Sequence, residues 1–457
     1  MSGGQRTVVD PSLMEHASSD LQELVRFASC ADPEVGSVEE CRLAAEWVRN
    51  AFERAGVGDA RLIETADNSL TVFGHCPAPA GAPTVLLYTH YDVQPPGELS
   101  EWLSDPYELV ERNGRWYGRG AADCKGNIVA VLTALRTFGA GSFPVGITVV
   151  CEGSEETAAG GLEALVKEQP ELFSADAILI LDVGNVKAGV PTLTTSLRGI
   201  VNVVVRVDTM VRPVHSGMYG GPAPDALAAL IAMLSTLRDA RGDTTIKGLD
   251  CAGRWTGNAY ATEAFREDAA LLDGVEVLGS GDVADALWSR PSVTVIGIDC
   301  PPVSGAVGAV CHTASARLNI RVPPGMTVVE VENALRDHLR SAVPWSAHLD
   351  IMTEGVGEPF TSATDGPAYR ALIRAMNDAF GGPTVKTGQG GGIPLCTALR
   401  AAAPEAEIAL LGVEEPLCAI HSPNESVAPG EIKGIAESIA GFLEYFAADV
   451  NGSTVTA

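Results

Sequence analysis

The chain has 457 residues, enough for two or three domains with packed cores, and its 46% hydrophobic content with 49 glycines and 28 prolines marks a turn-rich globular protein. A formal net charge of -27, from 31 basic and 58 acidic residues, repels polyanions, and no local basic patch offsets it, so neither nucleic acid nor an acidic membrane surface is an expected partner. No apolar run reaches the roughly 18 residues that span a bilayer. The opening MSGGQRTVVDPSLMEHASSD has no basic-then-apolar leader, and ten cysteines scattered singly form no disulfide framework. The expectation is a cytoplasmic protein with reduced thiols.

In chain order, apolar residues at helical spacing predict an early helical stretch from about Leu21 to Gly56. Strands and helices then alternate. APTVLLYTH reads as a buried strand, CKGNIVAVLTALRTFG as a helix, VGITVVCEG as a strand, EALVKEQPELF as a helical connector and AILILD as a strand. Continuous apolar strands separated by helices imply a mostly parallel sheet covered on both faces, an α/β domain. After Arg198 the pattern changes. GIVNVVVRVDT alternates like a half-buried strand, a helix follows over about Asp225–Leu237, and SVTVIGID, ASARLNIRVPP, TVVEVENALRDHLRSAV and HLDIMTEG read as strand, strand, helix, strand. That β-α-β-β-α-β order is one two-layer α+β unit. From Gly366 the helix-and-strand alternation resumes through AEIALLG to a last helix near Gly430–Ala447. The predicted organisation is a discontinuous catalytic domain, residues 1–197 and 356–457, with residues 198–355 inserted into it.

Functional groups of a parallel sheet belong beyond the C-terminal ends of its strands. There this chain puts His90 and Asp92, then Glu155 and Glu156, then Asp182, with Asp123 in the glycine-rich turn GRGAADCKG and His421 in AIHSPNES. Two imidazoles and three carboxylates make a mixed N/O set suited to zinc or manganese. One ion does not need five such groups. A pair does, if one carboxylate bridges, and water between two cations loses a proton near neutral pH. Adjacent Glu155 and Glu156 fit a division of labour between water and metal, and Asp92, two residues beyond His90, fits a partner that orients the imidazole. A strand-end histidine is as readily a hydrogen-bonded structural group, and a loop acid a solvated one, so spacing alone leaves both readings open.

At these residues the sequence resembles the dimetal peptidases and deacylases of metallopeptidase clan MH, which include carnosinase-like dipeptidases, glutamate carboxypeptidases, aminoacylases and succinyl-diaminopimelate desuccinylases. HYDVQP, GRGAADCKG, EGSEET, AILILD with PTLTTSLRG, HSGMYGG, LNIRVPP, GGGIP and IHSPNES follow one another in the family's order, and LYTHYDVQP and SLRG resemble the dipeptidase branch most. The resemblance implies that His90 and Asp182 bind one metal, Glu156 and His421 the other, and that Asp123 bridges them. The expected ions are zinc, with manganese or cobalt as alternatives. It implies Glu155 as general base, and His215, on the inserted lid and dimerisation domain, as the group that polarises the scissile carbonyl in the partner subunit of a homodimer. Arg321 resembles the arginine that holds a substrate carboxylate, and Gly391 and Gly392 lie in the expected substrate-binding segment. Cys124, beside Asp123, reads as packing rather than as a nucleophile.

The chain departs from its relatives on the substrate side. Where they often have Arg-Glu-Gly-Gly-Ser-Ile-Pro, it has Gly388-Gln389-Gly390-Gly391-Gly392-Ile393-Pro394, and Gly308 stands where many have an asparagine. The implied activity is metal-dependent cleavage of the amide bond of a dipeptide or related small substrate. The alternatives are a deacylase acting on an N-acyl amino acid or a specialised amide conjugate, and a noncatalytic binding protein, which the intact ligand set disfavours.

Overall fold

The computed structural model describes residues 8–454 apart from Pro33 and Ala140, so the first seven residues, part of the stretch read for a leader, lie outside it. Two helices open the chain, α1 (Pro11–Val25) and α2 (Val38–Arg54). The sequence predicted one stretch here. Two capped helices form instead because Asp10 accepts from the Leu13 amide and Ser37 from the Glu40 amide, each satisfying an end that lacks an intrahelical partner. A hairpin follows, β1 (Arg61–Glu64) and β2 (Leu70–Cys76), then β3 (Thr84–His90), α3 (Lys125–Arg136), β4 (Gly146–Glu152), β5 (Ala177–Leu181) and β6 (Thr192–Leu197). Next come β7 (Gly199–Asp208), α4 (Ala226–Ser235), β8 (Ser292–Asp299), β9 (Thr313–Val322), α5 (Val328–Ala342) and β10 (His348–Gly357). The chain ends on α6 (Pro367–Phe380), β11 (Glu407–Leu411) and α7 (Pro429–Thr454).

By contacts the chain divides into two compact units, Met1–Thr195 with Ser362–Thr387 and Leu395–Ala457, and Ser196–Thr361 with Gly388–Pro394. The first is built on a sheet of order β1-β2-β4-β3-β5-β11-β6. Its middle, β4-β3-β5-β11, is parallel, while β2 meets β4 and β6 meets β11 antiparallel. The sheet is therefore mixed, with the expected parallel arrangement at its centre. Ile178, Leu179 and Ile180 on β5 and Leu86 and Leu87 on β3 are buried on both faces, which is why these strands read as unbroken apolar runs rather than alternating ones. Helix α3 is buried around its whole circumference, and each Leu, Ile or Val it removes from water contributes about 1.5–3 kcal/mol.

The second unit is a four-stranded antiparallel sheet of order β8-β9-β7-β10. Val201, Val203, Val205 and Val207 alternate on β7 and pack with Leu318 and Ile320 of β9, Leu230 of α4 and Leu335 of α5 in a single core. Helix α5 starts at a capping box in which Thr327 and Glu330 satisfy each other's backbone amides.

Candidate metal centre and active site

Register brings the candidate ligands to one edge. In the parallel ladder His90 pairs with Glu152, and Leu181 with Leu411, so the residues just beyond these strands share one level. Asp182 follows β5 directly, and Glu155 and Glu156 stand on a single 3-10 turn after β4. Asp123 precedes the N-terminus of α3. His421 comes from the loop before α7, where Ala419, His421 and Asn424 all have left-handed backbone, with φ of 53°, 59° and 63°. Non-glycine residues rarely hold that conformation unless surrounding bonds fix it. Here Asn424 does so, accepting from the Leu103 amide at 2.9 Å and donating to the Glu101 carbonyl at 2.8 Å.

The five expected ligands converge. Asp123 divides its carboxylate: Oδ1 is 3.1 Å from His90 Nε2 and Oδ2 is 3.0 Å from His421 Nε2. Each histidine has a second acid of its own, Asp182 Oδ1 at 3.1 Å from His90 and Glu156 Oε2 at 3.3 Å from His421. Burial alone would raise Asp123, but hydrogen bonds with His421 and His90 outweigh it and hold its carboxyl below the usual range. Asp123 and Glu156 push His421 up to about 10; burial, partly offset by His90, sets Asp182 at about 6, and burial together with the charge of Asp182 sets Glu155 at about 9. The field at this edge calls for positive charge. One oxygen of Glu156, Oε1, is buried without a partner. An orphaned carboxylate oxygen beside imidazole nitrogens with two further acids is a donor set that fits divalent cations. The ligand atoms of Asp123, Glu156 and His421 lie within 4.8 Å of one another, as do those of His90, Cys124 and Asp182. Cys124 itself donates to the Leu181 carbonyl at 3.0 Å, and burial pushes its thiol up to about 12, as suits a packing residue.

Asp92 does more than orient His90. His90 Nδ1 faces the Asp92 carbonyl at 3.1 Å and its Oδ1 at 3.3 Å, while the two carboxylate oxygens accept from the Glu155 and Glu156 amides at 3.2 and 3.0 Å. One buried side chain thus fixes a ligand ring and the turn that carries the adjacent glutamates. Sequence reasoning missed three residues. Gln94 donates to Glu156 Oε2 at 2.8 Å, beside a pocket of about 410 Å³ lined in part by Cys30, Asp32 and Glu156. Glu414, buried, has an oxygen within 4.8 Å of Asp123 and Asp182. Glu425, 1% exposed, accepts from Arg119 at 2.7 Å and from the amides of Gly120, Ala122 and Asp123 at 3.0, 3.0 and 3.1 Å. It binds the loop of His421 to the loop of Asp123. Its place in IHSPNES was visible in the sequence, but nothing in the spacing announced four donors.

The other expected residues belong to the second unit. His215 is exposed on a two-residue strand that pairs with Ala309–Val310, and its Nδ1 accepts from the Gly217 amide at 3.1 Å. Gly308 is next to it, since its carbonyl accepts from the Ser216 amide at 2.9 Å. Arg321 is half-buried on β9, and Gly391 and Gly392 are exposed.

Residues 86–445 match the model of peptidase family M20/M25/M40. The chain is 44% identical over 435 residues to a cysteinylglycine-S-conjugate dipeptidase of Corynebacterium striatum, covering 94% of this chain and 95% of that one. It is 30% identical over 387 residues to the Beta-Ala-His dipeptidase of Homo sapiens, covering 79% and 74%. Among solved structures, human carnosine dipeptidase 1 shares its fold with a TM-score of 0.76 at 24% identity, covering 95% of this chain and 96% of that one. With the family's model spanning most of its length and a relative this similar end to end, the chain belongs to peptidase family M20/M25/M40.

Proposed function

We propose that the protein is a metal-dependent dipeptidase that uses two divalent cations, zinc by the chemistry of the donors. The observation that carries this reading is the divided carboxylate of Asp123, one oxygen to each histidine, with a private acid for each. His90 and Asp182 would hold one cation, Glu156 and His421 the other, and Asp123 both. Two cations there supply a Lewis acid for the scissile carbonyl and positive charge that eases loss of a proton from water. The protein's own residues do the rest. Asp92 keeps the His90 ring in place through Nδ1, which leaves Nε2 as the ligand atom, and it anchors the turn so that Glu155 and Glu156 have separate tasks. With positive charge bound beside it to offset the burial and acids that raise it, Glu155 would be ionised, take the proton of the attacking water on its carboxylate and deliver it to the leaving amine nitrogen. His215 acts on the carbonyl oxygen of a substrate bound by the partner subunit of a homodimer. Glu155→Gln should lower kcat about 10²–10⁴-fold with metal content unchanged. Activity near wild type in that variant would remove Glu155 as the base.

A second reading concerns the substrate. The relative at 44% identity is named for cysteinylglycine S-conjugates, and Gly391 and Gly392 put no side chain at their two positions. A dipeptide with a bulky S-substituted first residue and a terminal glycine is the substrate this favours. A panel of cysteinylglycine conjugates, β-alanyl-histidine, plain dipeptides and N-acyl amino acids, followed by mass spectrometry, ranks the candidates. Cleavage of the N-acyl amino acids alone would replace the dipeptidase reading by a deacylase.

A further inference from the structure

The His421 side chain is 52% exposed, against 0–10% for those of His90, Asp123, Asp182 and Glu156. Packing therefore does not hold its ring. The direction of the ring has to come from the backbone, in a loop between β11 and α7 where Ala419, His421 and Asn424 are all left-handed. Asn424 secures the tip of that loop. Its two stems, around Glu415 and Ser426, are secured by something else.

One side chain joins both stems. Arg115 lies on the short strand Arg115–Tyr117, where Tyr117 and Trp116 pair with Ser426 and Val427 at the far stem. Its Nε donates to Ser426 Oγ at 2.9 Å and its Nη2 to the Ser426 carbonyl at 3.2 Å. Its Nη1 is 2.5 Å from Glu415 Oε1 at the near stem, and Nη2 is also 3.5 Å from Cys418 Sγ. All three guanidinium nitrogens are thus committed to residues on either side of His421. The pair is enclosed, with the Glu415 side chain 1% exposed and that of Arg115 14%. Glu415 is engaged twice, because its Oε2 accepts from the Leu417 amide at 2.9 Å and so holds the 3-10 turn Pro416–Cys418. From that turn the chain passes through Ala419 and Ile420 to His421.

A fork that sets the separation of Glu415 and Ser426 sets the span the loop has to close, and with it the direction of the residue at its top. A planar guanidinium does this because its donors stand at fixed angles, whereas an ammonium is a point charge. Without Arg115, Glu415 would be a buried acid with no cation, a cost the loop could relieve by opening to water.

We infer that Arg115 is a positioning residue of the metal centre: by tying the two stems of the loop it aims His421 at the cation position shared with Glu156, and it leaves the position of His90 and Asp182 to other supports. This rests on the two-cation reading for the role of His421. The two positions should then depend on Arg115 unequally, even though Asp123 faces both histidines.

The test is calorimetric titration of the full-length, metal-free protein with zinc, in which His421→Ala marks the binding step that belongs to His421. In Arg115→Met that step should weaken about 10–100-fold, the range for a lost supporting partner, while the other step changes little. Arg115→Lys returns the charge beside Glu415 without the fork, so it should recover melting temperature more fully than zinc affinity. An arginine that merely stabilises the fold would weaken both steps alike or neither, and its lysine variant would recover affinity and melting temperature together. Either result overturns the inference. If wild type takes up no second zinc ion, the two-cation reading fails, and Arg115 is judged by hydrogen exchange of the metal-free protein. Backbone amides of residues 415–427 should exchange about tenfold faster in Arg115→Met than in wild type, with those of α3 unchanged. Unchanged exchange in the loop, or an equal rise in α3, overturns the inference in that case.

Discussion

Asp92 illustrates how much one buried side chain can settle. It holds the ring of His90 and, through two backbone amides, the turn of Glu155 and Glu156. Asp92→Asn keeps the shape but sets an amide NH₂ against groups that already donate. Metal affinity or kcat/KM should fall about 10–100-fold, as expected when a ligand's supporting partner is lost, and titration of the apoprotein with zinc separates the two. A fall in kcat/KM at full zinc occupancy would locate the effect in the glutamate turn. His90, Asp123, Glu155, Glu156, Asp182 and His421 were legible in the sequence because each stands at the end of a recognisable strand or in a quoted motif. Gln94 and Glu425 stand in quoted motifs too, but neither they nor Glu414 were singled out. Their partners are distant in the chain, and an isolated glutamate or glutamine in a loop carries no local mark of what it will bond.

Among the elements, the loops before α3 and α7 are one structure made from two segments. Glu425 and Arg119 are both within 2% of full burial, and three backbone amides share the same carboxylate. Glu425→Gln should destabilise the protein by about 3–5 kcal/mol, the range for breaking a buried pair from one side, measured by urea denaturation of the metal-free form. In the second unit, Asp285 gathers Arg254 at 2.6 Å and the Trp255 amide at 2.8 Å. Burial alone would raise its pKa, but these bonds prevail and hold it below 3.8. A carboxyl depressed in the folded state stabilises it above the unfolded pKa and loses that contribution as pH falls through the folded value. Thermal stability should therefore drop below about pH 4, and less steeply in Asp285→Asn, as melting scans between pH 5 and 2 would show. The elements themselves followed the sequence closely where periodicity was long, as in α3, β7 and α5. The helical stretch expected from about Leu21 to Gly56 is two helices, Pro11–Val25 and Val38–Arg54, because capping, not hydrophobic period, decides where a helix starts. The hairpin β1–β2 left no strong alternation to read.

At the scale of the molecule, the proposed exchange of His215 between subunits makes activity a property of pairs. Mixing His215→Ala with Glu155→Gln, each nearly inactive alone, should restore about a quarter of wild-type activity after subunit exchange, since half the dimers are mixed and one site in each is whole. No recovery in a mixture shown to contain mixed dimers would confine His215 to its own subunit's chemistry. The Glu425 clamp has another consequence. The amide of Asp123 and the carboxylate that holds it are 302 residues apart in the chain. On a ribosome adding roughly 5–20 residues per second, the loop of Asp123 waits many seconds for its counterpart, and His421 arrives in the same late segment. The nascent chain carries four of its five proposed ligands before the carboxylate that clamps the loop of the bridging one is made, so the proposed metal centre is expected to be completed only late in synthesis. The sheet, whose parallel core also takes β11 from that late segment, is finished only then.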